Sequence, residues 1–449
     1  MDAERLTDEE IEDPQWVPRQ SLYGPAWLTV TIPSLPAVLL WLVTPSMTAG
    51  FATASGALRS LGLLAGLCAY SAFATNLVLG ARLPWLERLF RSLDRLYRFH
   101  RRVGVAVGGL LAAHVTLMLG WVLSVQGPGL VAFFGQPGIV AGVVALAGFA
   151  GIVAVSLYGR MRHETFQRVH RLIGLVFIAG AVHVLIMPGV AAENRALNAY
   201  LIGVSAAGAA AWLYRSVLGN RLVRRHAYRV ARISPVAGDV NQLALAPVDD
   251  PIRFAPGQFV FISIDDDAVT REAHPFSITS GPSDTELRLV IKALGDFTSG
   301  LASVLPGAPV VIEGPYGGFW HEGEDLRRQV WIAGGIGVTP FLAMARSLDL
   351  GEHEVDLYYC AQDTGSMVFL DELQELAAGE GGLRLFTVPF DSDGFLTGER
   401  VAATSDDLPS RHVFLCGPSP MMDALIPQLV AAGASRERIH NEDFRIRGR

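Results

Sequence analysis

Two stretches decide how this chain reads: Tyr97-Arg-Phe-His-Arg-Arg-Val-Gly104 and Gln167-Arg-Val-His-Arg-Leu-Ile-Gly174. Each puts a histidine, His100 or His170, into a His-Arg-x-x-Gly motif at the start of an apolar run. Farther along the same two runs stand His114 and His183. An ionisable side chain inside a membrane helix is costly, so it is a functional candidate by default. Four of them, paired by depth on two helices, point to two bis-histidine hemes stacked across a membrane. Heme iron takes imidazole nitrogen as an axial ligand.

The spacing supports that reading on one helix and strains it on the other. Fourteen residues of helix rise about 21 Å and thirteen about 19.5 Å, so the two pairs span similar depth. At about 100° per residue, His114 lies about 40° from the face of His100. His183 lies about 140° from His170 on a regular helix. The second helix therefore needs a π-bulge or a kink, or a placement in which both faces reach a heme. The alternative is a set of buried histidines bonded to backbone or water.

Outward from these motifs, the first half of the chain is membrane-like. Of 449 residues 51% are hydrophobic, and the apolar ones concentrate before about residue 220. Six runs, residues 27–44, 57–80, 103–125, 138–158, 172–187 and 199–218, approach or reach the roughly 20 residues that a bilayer requires. The acidic opening (Asp8, Glu9, Glu10, Glu12, Asp13) is unlike a cleaved signal peptide and reads as a disordered cytoplasmic tail. Arginine gathers in the second and fourth connections and after the sixth run, for example Arg82, Arg88, Arg95, Arg160, Arg168, Arg215 and Arg221. The positive-inside rule then puts both termini in the cytoplasm of a multi-pass inner-membrane protein. His100 and His170 become the inner pair, His114 and His183 the outer pair. In the second connection Leu86, Leu89, Phe90, Leu93, Leu96 and Tyr97 recur at helical spacing. That predicts an amphipathic helix at the headgroups, either a basic anchor or a docking surface for the soluble half.

The net charge of −7 gives no support to nucleic-acid binding. The three cysteines, Cys68, Cys360 and Cys416, have no metal-ligand spacing, so neither an iron–sulfur cluster nor a zinc site is expected.

After about residue 221 short alternating strands appear at 228–233, 240–245, 258–264, 286–293 and 309–313, the pattern of a small antiparallel barrel. His274-Pro-Phe-Ser-Ile-Thr-Ser280 sets an aromatic beside hydroxyls. That suits a flat tricyclic ring, with Phe276 against it and Ser277 at its reactive edge. Lys292-Ala-Leu-Gly-Asp-Phe-Thr-Ser-Gly300 ends a strand and begins a helix near Thr298, whose free N–H groups suit a pyrophosphate. From about residue 329 strands alternate with helices. Val330-Trp-Ile-Ala-Gly-Gly-Ile-Gly-Val-Thr-Pro340 and His412-Val-Phe-Leu-Cys-Gly-Pro418 are buried strands ending in small-residue turns. On a doubly wound parallel sheet such turns fall at the carboxyl ends, where ligands bind.

Together these residues resemble the NADPH oxidase and ferric reductase family. The resemblance rests on the four histidines, His274–Ser280, Gly295-Asp-Phe-Thr298, Gly314-Pro-Tyr-Gly317, Gly334-Gly-Ile-Gly-Val-Thr-Pro-Phe341 and Cys416-Gly-Pro418. It implies a multidomain chain. Residues 27–220 would be an all-α six-helix transmembrane di-heme bundle behind a tail at 1–26. Residues 221–325 would be an antiparallel β-barrel binding FAD, and 326–449 an α/β doubly wound domain binding NADPH or NADH. FAD would meet His274, Pro275, Phe276, Ser277, Thr279, Lys292, Gly295, Thr298 and Ser299. The nucleotide would meet Gly314, Tyr316, Gly334, Gly335, Gly337, Thr339, Pro340, Asp363, Cys416, Gly417 and Pro418. Phe444 would cover the flavin ring. Catalysis would fall to Phe276, Ser277, Cys416 and Phe444, and Arg101 and Arg171 would pair with propionates of the two b-type hemes.

Two positions depart from the family pattern. Oxidases of the family often carry a histidine one turn outward from the outer ligand, where this chain has Met118, with Arg59 nearby on the second run. After the strand ending at Cys360 the chain reads Ala361-Gln-Asp-Thr-Gly365, with Asp363 and no arginine. A carboxylate there favours a free ribose hydroxyl, hence NADH, unless Arg384 arrives from the next strand. The expected activity is electron transfer from cytoplasmic NAD(P)H to an extracytoplasmic acceptor. Oxygen, giving superoxide, is the first choice. A ferric-chelate or metal reductase, or a dehydrogenase feeding a membrane or periplasmic partner, is the alternative.

Overall fold

The computed structural model describes residues 28–90, 93–125, 133–158, 163–187, 193–219, 224–317, 319, 326–347, 352–379 and 381–442. The acidic opening segment and Phe444 lie outside these residues. The first half is helical: α1 (Leu28–Leu42), α2 (Ala54–Gly80), α3 (Pro84–Phe90), α4 (Leu93–Val125), α5 (Pro137–Tyr158), α6 (His163–Arg171), α7 (Ile173–Ile186) and α8 (Arg195–Trp212). Five stretches are long and apolar enough to cross a membrane: Ala54–Gly80, Arg95–Val125, Pro137–Ser156, Thr165–Ile186 and Arg195–Val217. The chain is a multi-pass membrane protein.

The first expected span differs from a plain sixth helix. The chain bends by 85° between Ser34–Leu42 and Pro45–Ala52. Pro45 lacks the N–H that would carry the helix on. The Leu40 carbonyl near this break accepts from Thr44 Oγ1 at 2.8 Å and Asn194 Nδ2 at 3.2 Å. Irregular backbone at membrane depth survives only with such partners.

Helix α2 lies at the centre. Its Leu67, Tyr70, Phe73 and Leu77 are buried, and Tyr70 stacks on Phe177 of α7 with ring centres 5.1 Å apart. Val105, Leu123, Val143 and Ile186 are each more than half exposed, the expected state of a side chain that faces lipid. The amphipathic helix expected in the second connection is split. Short α3 is followed by α4, whose 33 residues run about 50 Å, longer than the hydrocarbon core. Leu86 and Leu96 turn into the core while Trp85 and Leu89 remain exposed.

The second half holds two sheets. Strands β1 (Arg225–Ala237), β2 (Val240–Pro247), β3 (Phe259–Ile264), β4 (His274–Ser277), β5 (Leu287–Lys292) and β6 (Pro309–Tyr316) pair antiparallel in the order β4-β3-β6-β1-β2-β5. A bridge between Ile278 and Leu289 joins the first of these to the last and closes the barrel. Val230, Leu243, Val260, Ile262, Leu289 and Ile312 fill it.

Strands β7 (Arg328–Gly334), β8 (Glu354–Ala361), β9 (Leu383–Pro389), β10 (His412–Cys416) and β11 (Ile439–Glu442) form a parallel sheet in the order β11-β10-β7-β8-β9. Separate apolar clusters cover its two faces, which is why its strands read as unbroken hydrophobic runs. The strand order reverses between β7 and β10, the position at which open sheets of this type bind ligands.

Candidate functional site

The four histidines form two facing pairs, each with its ring planes steeply inclined, at 70° and 69°. His100 on α4 and His170 on α6 have ring centres 6.3 Å apart, and so do His114 on α4 and His183 on α7. Two imidazoles held on opposite sides of one metal, each by a nitrogen about 2 Å away, have ring centres roughly 6 Å apart. The other ring nitrogen is engaged in every case. His100 Nδ1 meets Asn76 O at 3.0 Å, His114 Nδ1 meets Gly62 O at 2.8 Å, and His183 Nδ1 meets Gly138 O at 2.7 Å. His170 Nδ1 lies 3.5 Å from Ser156 Oγ. Such bonds orient an imidazole and direct Nε2 toward a metal. The donor set, the separation and the fixed orientation all fit heme.

Glycines make the room. A Cβ on Gly66 would lie 2.7 Å from His114 Nδ1, and a Cβ on Gly142 would lie 2.7 Å from His183 Nδ1. The two halves therefore repeat one device. Gly62 or Gly138 offers its carbonyl, and the glycine four residues on clears space for the ring. The repeat extends outward, where the sulfur of Met118 packs against Gly62 and that of Met187 against Gly138. Arg59 lies 5.8 Å over the Trp121 ring at the same end.

Between His170 and His183 the helix carries a tightened turn at Leu172 and not a π-bulge. Leu172 N bonds to Val169 O and Leu175 N to Leu172 O, both at i to i−3 spacing. This 3₁₀-type overwinding adds rotation per residue and reduces the angular offset between the two histidines. Trp212 Nε1 donates to the Arg171 carbonyl at 2.8 Å. The glycine of the second motif has its reason here: a Cβ on Gly174 would lie 2.1 Å from the Trp212 ring.

In the barrel, His274 and Phe276 share one face of β4 and both stack with Phe297, at 4.2 and 6.0 Å. Burial holds the His274 imidazole below its usual range, so it is neutral near pH 7. Its Nε2 is buried without a hydrogen-bond partner among the described residues, with Glu272 Oε2 3.9 Å away, and the polar edge of a flavin fits there. Ser277 is buried. Two hydroxyls expected at the flavin are committed to the chain itself. Thr279 Oγ1 donates to Arg288 O at 2.9 Å. Thr298 Oγ1 accepts from Leu294 N and Gly295 N at 2.8 and 3.0 Å. Thr298 thus caps the five-residue helix Asp296–Gly300, in which Ser299 also lies, and Lys292 stands 3.9 Å from Asp239. The Tyr316 hydroxyl donates to Glu313 at 2.9 Å.

On the parallel sheet the two small-residue turns press together. A Cβ on Gly337 would lie 2.3 Å from Cys416 O, and one on Gly417 would lie 2.9 Å from Gly334 Cα. Gly335–Val338 forms a 3₁₀ turn that leads into α9 (Thr339–Ser347), so the floor of the crevice is bare backbone at a helix start. Thr339 Oγ1 donates to Ile336 O at 3.0 Å, and Pro340 is buried in the first turn of α9. Cys416 is fully buried, while burial pushes the Cys360 thiol up to about 12. Asp363, at the carboxyl end of β8, accepts from Ser366 N at 2.8 Å and Ser366 Oγ at 3.1 Å. Arg384 does not approach it, since its guanidinium is held by Asp356 near the amino end of the sheet. Arg101 and Arg171 are exposed and flank the inner pair in sequence. Sequence reasoning missed the two glycine pairs, Asn76 and Ser156. Gly-x-x-x-Gly at 62–66 and again at 138–142 was the signal available.

Three family models match successive segments of the chain. Residues 65–181 match the family described as ferric reductase like transmembrane component. Residues 225–319 match an FAD-binding domain, and residues 331–426 an oxidoreductase NAD-binding domain. The chain is 30% identical over 248 residues to the reductase component of propane 2-monooxygenase from Rhodococcus jostii (strain RHA1), covering 51% of this chain and 66% of that protein. It is 32% identical over 206 residues to the ferredoxin reductase component of 3-ketosteroid-9-alpha-monooxygenase from Mycolicibacterium smegmatis, covering 44% of this chain and 57% of that one. The chain thus spans less than two-thirds of the length of either relative. Among solved structures, a ferredoxin reductase in carbazole 1,9a-dioxygenase aligns with 49% of this chain and 70% of its own, at 25% identity and a TM-score of 0.42.

The fold and the three matched segments define a membrane-bound chain of the oxidoreductase class, with an FAD-binding domain and an NAD-binding domain. A ferric-reductase-like transmembrane domain fused to FAD- and NAD(P)-binding reductase domains is the architecture of the NADPH oxidase and ferric reductase family, and this chain has it.

Proposed function

We propose that the chain moves electrons from cytoplasmic NAD(P)H, through FAD and two b-type hemes, to a metal complex outside the cytoplasm. The observation that carries this reading is the pair of 6.3 Å histidine separations at two depths of one bundle. When bound, FAD divides a hydride's two electrons into single steps, and each heme passes one electron at a time. The residues supply position. Gly62 O, Gly138 O and Asn76 O orient three of the imidazoles, and Ser156 lies beside the fourth. His274, Phe276 and Ser277 would bound the flavin, with Phe444 as its cover on sequence grounds. The bare turns at Gly334–Gly337 and Cys416–Pro418 would admit the nucleotide phosphates. Arg101 and Arg171 would meet heme propionates. The arginine-rich connections support cytoplasmic termini.

What supports a metal complex over oxygen is the outer mouth. Met118 fills the position where oxidases often place a histidine, and Met187 fills the matching position of the other half. The transmembrane match is to a ferric-reductase-like component. Delivery to a protein partner is the second reading, favoured by relatives that are reductase components of monooxygenases.

The test is an anaerobic spectrum of the purified membrane protein before and after NADH, followed by addition of ferric citrate or oxygen. Two hemes per chain by pyridine hemochrome, reduced by NADH and reoxidised faster by ferric citrate, is the expected result. A folded protein without heme refutes the electron path. Reoxidation by oxygen that yields superoxide in stoichiometric amount refutes the choice of acceptor.

A further inference from the structure

The membrane half and the barrel meet at one buried carboxylate. Glu313, on β6, is 6% exposed. Arg215, in the turn that ends the last span, reaches it at 2.8 Å. Arg82, just beyond α2, stands 3.6 Å away, and Arg225 at the start of β1 stands 3.9 Å away. Arg82 also bonds to the Tyr97 hydroxyl on α4, and its guanidinium lies 4.4 Å over the ring of Phe261 on β3. Arg82, Arg215 and Arg225 all converge on this one carboxylate, so the junction is rich in cations. Phe259, Phe261 and Tyr316 of the barrel belong to the same apolar cluster as Leu86, Leu96 and the spans. A carboxylate buried among cations holds what it pairs, because removing it strands charges that are out of water.

We propose that Glu313, clamped by Arg82 and Arg215, is the positioning residue that docks the flavin barrel on the membrane bundle and fixes the flavin-to-inner-heme gap. This rests on the electron path proposed above. One end of the clamp is on the strand that runs directly into Gly314–Tyr316. The other reaches Tyr97, one helical turn from His100. Electron transfer between cofactors weakens steeply with distance, so a loosened clamp slows that one transfer and spares hydride transfer.

The test uses the full chain, loaded with FAD, in lipid nanodiscs. Spin labels at Leu89→Cys and Leu305→Cys, both 70% exposed, report the distance between bundle and barrel, since the native cysteines are buried. Arg215→Gln is expected to broaden that distance distribution and to slow heme reduction by NADH at least tenfold. Ferricyanide reduction, drawn from the flavin, should stay within twofold. Arg215→Lys, which keeps the charge, should retain a narrow distribution and most of the heme rate, and Glu313→Asp should fall between. An unchanged distribution and heme rate in Arg215→Gln overturns the proposal. So does an equal fall in heme and ferricyanide rates. If the parent protein holds no heme, the electron path fails on its own, and the label distances still decide whether the clamp exists.

Discussion

Arg384 grips Asp356 through two bonds of 2.6 and 2.8 Å, close to the amino end of the parallel sheet. Asp363 lies seven residues farther along, roughly 20 Å at strand rise. The arginine that could have rescued a 2′-phosphate is thus committed elsewhere, while Asp363 stands just past β8, where the proposed ribose site lies. NADH should be used at least as well as NADPH, judged by kcat/KM for both over full concentration ranges. Asp363→Ala should shift the ratio toward NADPH by about tenfold, or about 1.4 kcal/mol. A native preference of a hundredfold for NADPH contradicts this.

The glycines behind the outer pair give a second expectation. Gly66→Ala and Gly142→Ala each push a methyl group into a histidine ring. Overpacking of this kind costs about 1–3 kcal/mol, and here it moves a ligand. Heme content should fall from two per chain toward one, with the inner heme retained. Full occupancy in both variants would show that the rings have slack.

A third concerns the nucleotide domain. Asp356 and Arg411 are both fully buried and 3.3 Å apart, with Arg384 on the other side of the carboxylate. Asp356→Asn leaves Arg411 poorly compensated, and breaking a buried pair costs about 3–5 kcal/mol. Glu354 also bonds to Arg411, so the lower end applies. Calorimetry of the full chain should show the nucleotide domain melting earlier, with heme spectra intact.

The Glu313 clamp has a pH signature. Burial alone would raise its carboxyl, but Arg215 and Arg82 outweigh burial and hold it below the usual carboxylate range. A lowered folded value gives stability that is complete above the unfolded value, about 4.3, and lost as pH falls through the folded one. Docking should be flat from about pH 8 to about pH 5 and loosen only in stronger acid. A transition near neutrality in the label distances would assign the clamp to another group.

Much of this was legible from spacing, and the misses share a cause. Histidines in apolar runs, alternating strands and glycine turns are local signals, and α4, β1–β6 and β7–β10 formed where those signals stood, whereas β11 had not been expected. The tightened turn at Leu172 was one of the outcomes that the angle from His170 to His183 allowed, yet its sense depends on Trp212 packing on Gly174 from another helix. The bend before Pro45 depends likewise on Asn194, 154 residues away from Leu40. Thr279 and Thr298 looked like ligand contacts because a hydroxyl's partner is invisible until the backbone folds back on it. Glu313 carried no motif at all: its partners come from both halves of the chain.

The repeated glycine device also bears on how the bundle is assembled. α2 with α4, and α5 with α6 and α7, each carry one histidine of the inner pair, one of the outer pair, and the carbonyl or hydroxyl beside each. Neither hairpin completes a site alone. The membrane half is in effect a heterodimer written on one polypeptide, with the two proposed hemes as its joint. Produced as two polypeptides divided between α4 and α5, the hairpins would insert separately and recombine when heme is supplied.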